Sequence, residues 1–138
     1  MSNFRVFNTS FSFSTKGEIE FVDLTDEVLK AVNKSGIRNG LVHVFAPHAT
    51  GVVILTENEH DLLVDIKDWL QEIIPANKAY KHPSNAHSHL RSLLLPPDRT
   101  LPLVDGRVEL GTWQSILFVE TDVHPRRRTA IIQVLGGQ

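Results

Sequence analysis

The chain has 138 residues, of which 41% are hydrophobic and 22% charged, the make-up of one ordinary globular domain with a packed core. It contains no cysteine, which excludes disulfides, thiolate metal sites and cysteine nucleophiles. A formal net charge of -2 gives no general pull toward nucleic acid or anionic lipid. No eighteen-residue apolar run occurs, and the opening MSNFRVFNTSF lacks a secretory pattern, so a cytoplasmic protein without nucleic-acid or membrane partners is expected.

In chain order, the aromatic and β-branched stretch 4–13 predicts a strand, 14–17 a turn and 18–22 a partner strand. Residues 25–36 carry helix punctuation: Thr25 as N-cap, Asp26 and Glu27 in the first turn, Lys34 late and Gly36 as the stop. Leu24, Val28, Leu29 and Val32 form its apolar stripe. Stretches 40–46 and 51–55 predict strands joined by Pro47–Thr50. The i, i+3, i+4 rhythm of Leu62, Leu63, Ile66, Trp69, Leu70, Ile73 and Ile74 predicts a helix over 58–74, ended by Pro75. An irregular segment, 75–100, contains LRSLLL at 90–95, read as a short helix or turn. A length this irregular inside one domain points to function or mobility. LPLVDGRVEL predicts a hairpin with Asp105-Gly106 at its tip, and 113–121 and 127–135 predict closing strands. The order implies an α+β fold over residues 1–138, with largely antiparallel sheets packed with two main helices.

Five clusters could carry chemistry. His48 sits on the turn APHATG, constrained by Pro47, with Thr50 and Gly51 beside it; an ordinary turn with an exposed imidazole explains it equally. His43 shares a face with Leu41 and Phe45 and reads as a core histidine. In TEN, Asn58 suits an N-cap and Glu57 the positive helix end. The same carboxylate could instead act as a base in a cleft. His82, His87 and His89 fall within eight residues. His87 and His89 would share one side of an extended segment, and three imidazoles with an open position would suit zinc. GTWQS places Trp113 and Gln114 on opposite faces of a strand. Glu120 follows an apolar run, and alternation puts Arg126 and Arg128 on one face of the last strand and Arg127 on the other. Arginines in that position serve either a solvated edge or bidentate phosphate binding.

PHATG, TEN, NAHSHLRSLLL, VDGRVELGTWQSILFVE and the arginine run before VLGG occur together in this order and spacing. The chain resembles, over essentially its whole length, the YjbQ or secondary thiamine-phosphate synthase family. That resemblance implies a compact α+β domain, a homotrimer with sites near subunit interfaces, and a weak thiamine-phosphate synthase activity. In that reaction a pyrimidine diphosphate joins a thiazole phosphate. It also implies a histidine-rich metal or anion pocket. The matching positions give His48, His82 and His89 as metal ligands, for zinc or else magnesium, and Glu57, Asn58, Gln114 and Glu120 as catalytic residues. Thr50, Trp113, Arg126 and Arg127 are the expected contacts to a small phosphorylated metabolite. A metal-dependent phosphatase and a non-enzymatic metal- or anion-binding trimer are the alternatives. The sequence departs from the family pattern with Ala49 in place of a threonine, Val119 in place of a cysteine, and Val123-His124-Pro125 in place of an aspartate-glycine step.

Overall fold

Two antiparallel sheets and three helices build the fold in layers. Residues 4–138 are described by the structure, a computed structural model. The strands are β1 (Arg5–Thr15), β2 (Glu20–Asp23), β3 (Asn39–Phe45), β4 (Gly51–Thr56), β5 (Asp98–Val104), β6 (Arg107–Val108), β7 (Ser115–Glu120) and β8 (Arg126–Gly137). The helices are α1 (Thr25–Ser35), α2 (His60–Ile73) and α3 (Ala86–Leu94). The large sheet has the order β1-β8-β3-β5-β6, and the small one β2-β7-β4. An α+β domain of antiparallel sheets is thus observed as expected, with a third helix where only a short turn or helix was anticipated.

The inner face of the large sheet, through Val42, Val44, Leu101, Leu103, Ile132 and Val134, meets α1 and one face of the small sheet. The opposite face of the small sheet, Val52, Ile54, Leu117 and Val119, packs with Leu70 of α2. Strands β4 and β7 are therefore covered on both sides, which is why GVVIL and SILFV read as continuous rather than alternating apolar runs. Helix α1 buries Val28, Ala31 and Val32 but leaves Leu29 exposed, and its stop at Gly36 adopts a left-handed φ of 68°. The expected N-caps shift by one residue. Leu24 precedes α1, while Thr25 Oγ1 accepts from Ile116 N instead. For α2 the cap is Glu59 rather than Asn58, its carboxylate accepting from Asp61 N and Leu62 N. The Asp105-Gly106 tip is present, with positive φ at both residues, as a two-residue hairpin of that hand requires.

His43 corrects an expectation. It does share a face with Leu41 and Phe45, but that is the outer face of the large sheet, and its Nε2 lies 2.7 Å from Asp98 Oδ2. Both faces of β3 are apolar, so alternation reveals the grouping and not the direction.

Candidate functional site at one end of the small sheet

Register divides the candidate residues into two groups. Gly51 pairs with Glu120 at one end of the small sheet, and Thr56 with Ser115 at the other. The ends are five residue steps apart, about 17 Å at roughly 3.4 Å per residue. Glu57 and Asn58 follow β4, and Trp113 and Gln114 precede β7, so all four belong to the Thr56 end. There Asn58 donates to Asp23, Gln114 Oε1 accepts from Gly111 N at 2.8 Å, and Trp113 is 73% exposed. His48, Thr50, Glu120 and Arg126 belong to the Glu120 end.

At that end the chain leaves the buried strands and its polar groups are satisfied by one another. Glu120 is fully buried, accepts from Thr15 Oγ1 at 2.5 Å and from Arg128 Nε at 2.7 Å, and forms an ion pair with Arg128 Nη2. Arg128 Nη2 also reaches Thr50 O and Oγ1, each at 2.9 Å. Thr50 Oγ1 donates to Asp122 Oδ2 at 3.1 Å, and Arg126 grips the same oxygen through Nε at 3.0 Å and Nη2 at 2.9 Å. Burial pushes the Asp122 carboxyl up. Hydrogen bonds from Val123 N, Asn85 and Thr50, with the Arg126 charge, outweigh that and hold it below the usual carboxylate range. Gly51 is required by packing: a Cβ there would stand 2.4 Å from the Phe118 ring, so the close approach is to a side chain and not to a ligand.

Helix α3 attaches to this end. Thr121 Oγ1 donates to Ser88 O at 3.0 Å, and Asn85 Nδ2 donates to Asp122 Oδ1 at 3.3 Å. Asn85 Oδ1 in turn lies 3.2 Å from His82 Nε2. The His82 and His89 rings meet edge to face, 4.9 Å between centroids, and line a cavity of about 410 Å³ with Tyr80, Lys81, Ala86 and Leu90. Tyr80 is fixed by donating its hydroxyl hydrogen to Pro75 O.

The His87 and His89 expectation is overturned. Their segment is helical, so positions two apart point about 200° from each other. His87 turns inward, its Nε2 3.2 Å from Glu18 Oε2, and Arg91 Nη1 reaches that same oxygen at 2.6 Å. The i, i+4 spacing of His87 and Arg91 was the available signal for a shared inner face.

His48 is placed differently from a metal ligand. Strand β3 ends its pairing with β8 at Phe45–Ile131, and Thr129 N donates to His48 Nε2 at 3.0 Å in place of the missing strand. Burial and the Arg128 charge lower its pKa below the ordinary imidazole value, which favours the neutral ring that can accept this bond. Among the described residues no group of three or more His, Cys, Asp or Glu is arranged to hold a metal ion. The described residues thus do not fit the expected zinc or magnesium site.

The arginines also have partners. Arg128 is consumed by Glu120, and Arg127 Nη1 donates to Ser14 on the opposite strand face. Arg126 is held along one edge by Asp122, with its side chain 43% exposed. Residues not anticipated as site members are Thr15, Asn85, Asp122 and Arg128. The run Glu120-Thr121-Asp122 directly after an apolar strand, facing alternating arginines, was the signal for the last two.

Together these observations define an α+β domain with a polar cluster where a doubly covered sheet ends. Residues 9–137 match the family described as "UPF0047 protein YjbQ-like". The chain belongs to that YjbQ/UPF0047 family. It is 40% identical over 134 residues to a UPF0047 protein of Methanothermobacter thermautotrophicus, covering 95% of this chain and 93% of that one. Among solved structures, a YbjQ-like protein of unknown function from Sulfolobus solfataricus is 34% identical with a TM-score of 0.94, covering 96% of this chain and 99% of that one. A YjbQ/UPF0047 protein of Clostridium acetobutylicum is 34% identical with a TM-score of 0.86, covering 90% and 97%.

These findings overturn the expected thiamine-phosphate synthase reaction and its metal-dependent alternatives. The relatives carry no such activity in their descriptions, and the solved relative from Sulfolobus solfataricus is described as of unknown function. The histidine-rich metal pocket on which that reading leaned is absent among the described residues. Among the described residues no helix is long and apolar enough to cross a membrane.

Proposed function

We propose that the Glu120 end of the small sheet binds a small phosphorylated metabolite, with Arg126 as the principal contact to its oxyanion. The observation that supports this most is the placement of the Arg126 guanidinium. Asp122 holds the Nε and Nη2 edge. A planar guanidinium then has its Nη1 hydrogens directed away from that carboxylate, in a fixed orientation. Asp122 is itself fixed by Thr50 and Asn85, so Arg126 is oriented before any ligand arrives. The two carboxylates that Arg126 and Arg128 face, Asp122 and Glu120, are buried and paired. What it offers outward is the free edge of Arg126, with Lys81 of the adjoining cavity. Charge-assisted bonds from such donors suit a phosphate.

The test is a calorimetric titration with inorganic phosphate at low ionic strength. Saturable binding is expected, at least tenfold weaker in Arg126→Ala and unchanged within about twofold in Arg127→Ala, whose side chain lies on the other strand face. No saturable binding, or equal binding by Arg126→Ala, rejects the reading.

For assembly, we propose a homotrimer formed through the outer face of the large sheet. Val6, Leu41, Val104 and Ile131 are exposed on that face, and among the described residues no helix covers it. Light scattering should give about three times the monomer mass; a monomer rejects the assembly.

A further inference from the structure

One imidazole of the adjoining cavity is tied to the site by a directed chain of hydrogen bonds. The chain runs Asp122, Asn85, His82. Each link has a sense. An ionised carboxylate only accepts, so the amide group facing Asp122 Oδ1 at 3.3 Å is Asn85 Nδ2, which only donates. The Asn85 side chain cannot turn over without setting its carbonyl against that carboxylate. Its Oδ1 therefore faces His82, and an amide oxygen only accepts. The ring nitrogen 3.2 Å away, His82 Nε2, is then the one that carries the hydrogen. The main chain of Asn85 is equally fixed, since its carbonyl accepts from Ser88 N and its N–H donates to Pro83 O.

We propose that Asn85 is a positioning residue that, anchored on Asp122, holds His82 as the Nε2–H tautomer. The Nδ1 lone pair is thereby the acceptor that this ring offers to a molecule in the cavity lined by Tyr80, Lys81, His89 and Leu90. The cavity and Arg126 share one carboxylate: Asp122 Oδ1 receives Asn85 and Oδ2 receives Arg126. A ligand whose phosphate sits on Arg126 and whose remainder enters the cavity would present a hydroxyl or amine hydrogen to Nδ1. This ligand assignment rests on the oxyanion reading. The tautomer does not, and it is measured on the free protein.

The experiment is a long-range 1H–15N correlation spectrum of uniformly 15N-labelled protein, recorded above the imidazole titration range without phosphate. His82 is assigned by its loss in His82→Gln. A pyridine-like Nδ1 and a pyrrole-like Nε2 are expected for His82 in the wild type, collapsing to a mixture of tautomers in Asn85→Ala. Should Asn85→Ala fail to fold, the wild-type spectrum decides alone. A His82 ring protonated at Nδ1, or one whose tautomer is unchanged in a folded Asn85→Ala, overturns the proposal.

Discussion

Where β3 turns away after Phe45, Thr129 of β8 loses its backbone neighbour and His48 Nε2 fills the vacancy. The bond requires an unprotonated nitrogen, which ties a pH dependence to one side chain. The folded-state pKa of His48 is lowered. Between that value and about 6.5 for the unfolded chain, the unfolded state binds more protons, so stability rises with pH. The His48 contribution is fully present above about pH 6.5 and is lost as pH falls through the folded value. Asp122, also lowered, acts in the same sense at more acid pH, below about 3.9. Urea unfolding at pH 7.5 and 5.5 should show a smaller loss of stability on acidification in His48→Gln than in the wild type. An equal loss removes His48 from the account. The three arginines show what residue spacing reveals. Alternation separates Arg127 from Arg126 and Arg128, and the structure agrees, with Arg127 on Ser14 and the other two on buried carboxylates. Which arginine would be consumed and which would keep a free edge depended on Asp122 and Glu120, partners four and eight residues away around a bend that spacing does not describe.

Among elements, β7 and β8 lie in different sheets, and the Glu120–Arg128 pair ties them. Both groups are nearly inaccessible to water, so removing one leaves the other charged and unpaired. Arg128→Met should lower the unfolding free energy by about 3–5 kcal/mol, and the double variant Arg128→Met with Glu120→Leu by less. Chemical denaturation measures this, and a double variant that loses as much as Arg128→Met alone, or more, contradicts it. Helix α1 and the β5–β6 hairpin were legible because their punctuation is local: a left-handed glycine ends the one, and an Asp-Gly pair turns the other. Helix α3 was legible only in its last turns. Its first turn, Ala86-His87-Ser88-His89, is polar, and the contacts that dock it, His87 beside Glu18 and Ser88 O accepting from Thr121, are with residues distant in sequence. Helix α2 was legible in position, yet Trp69 and Ile73 of its stripe remain exposed and only Leu70 is buried.

At the scale of the molecule, the layering explains why a site grouped by sequence falls into two. TEN and GTWQ neighbour each other because β4 and β7 are paired, and PHATG neighbours Glu120 for the same reason, but antiparallel register puts these neighbourhoods at opposite ends. Sequence order lists residues and not strand ends, so the separation of about 17 Å between them was invisible until the register was known. Within one chain, then, Glu57, Asn58, Trp113 and Gln114 do not share a pocket with His48 and Arg126. Oxyanion recognition is accordingly proposed wholly at the Glu120 end. A crystal soaked in phosphate locates it directly. The account predicts an anion within about 3 Å of Arg126 Nη1, with its remaining surface toward the His82–His89 cavity. Density at the Thr56 end alone, beside Trp113 and Gln114, would contradict it.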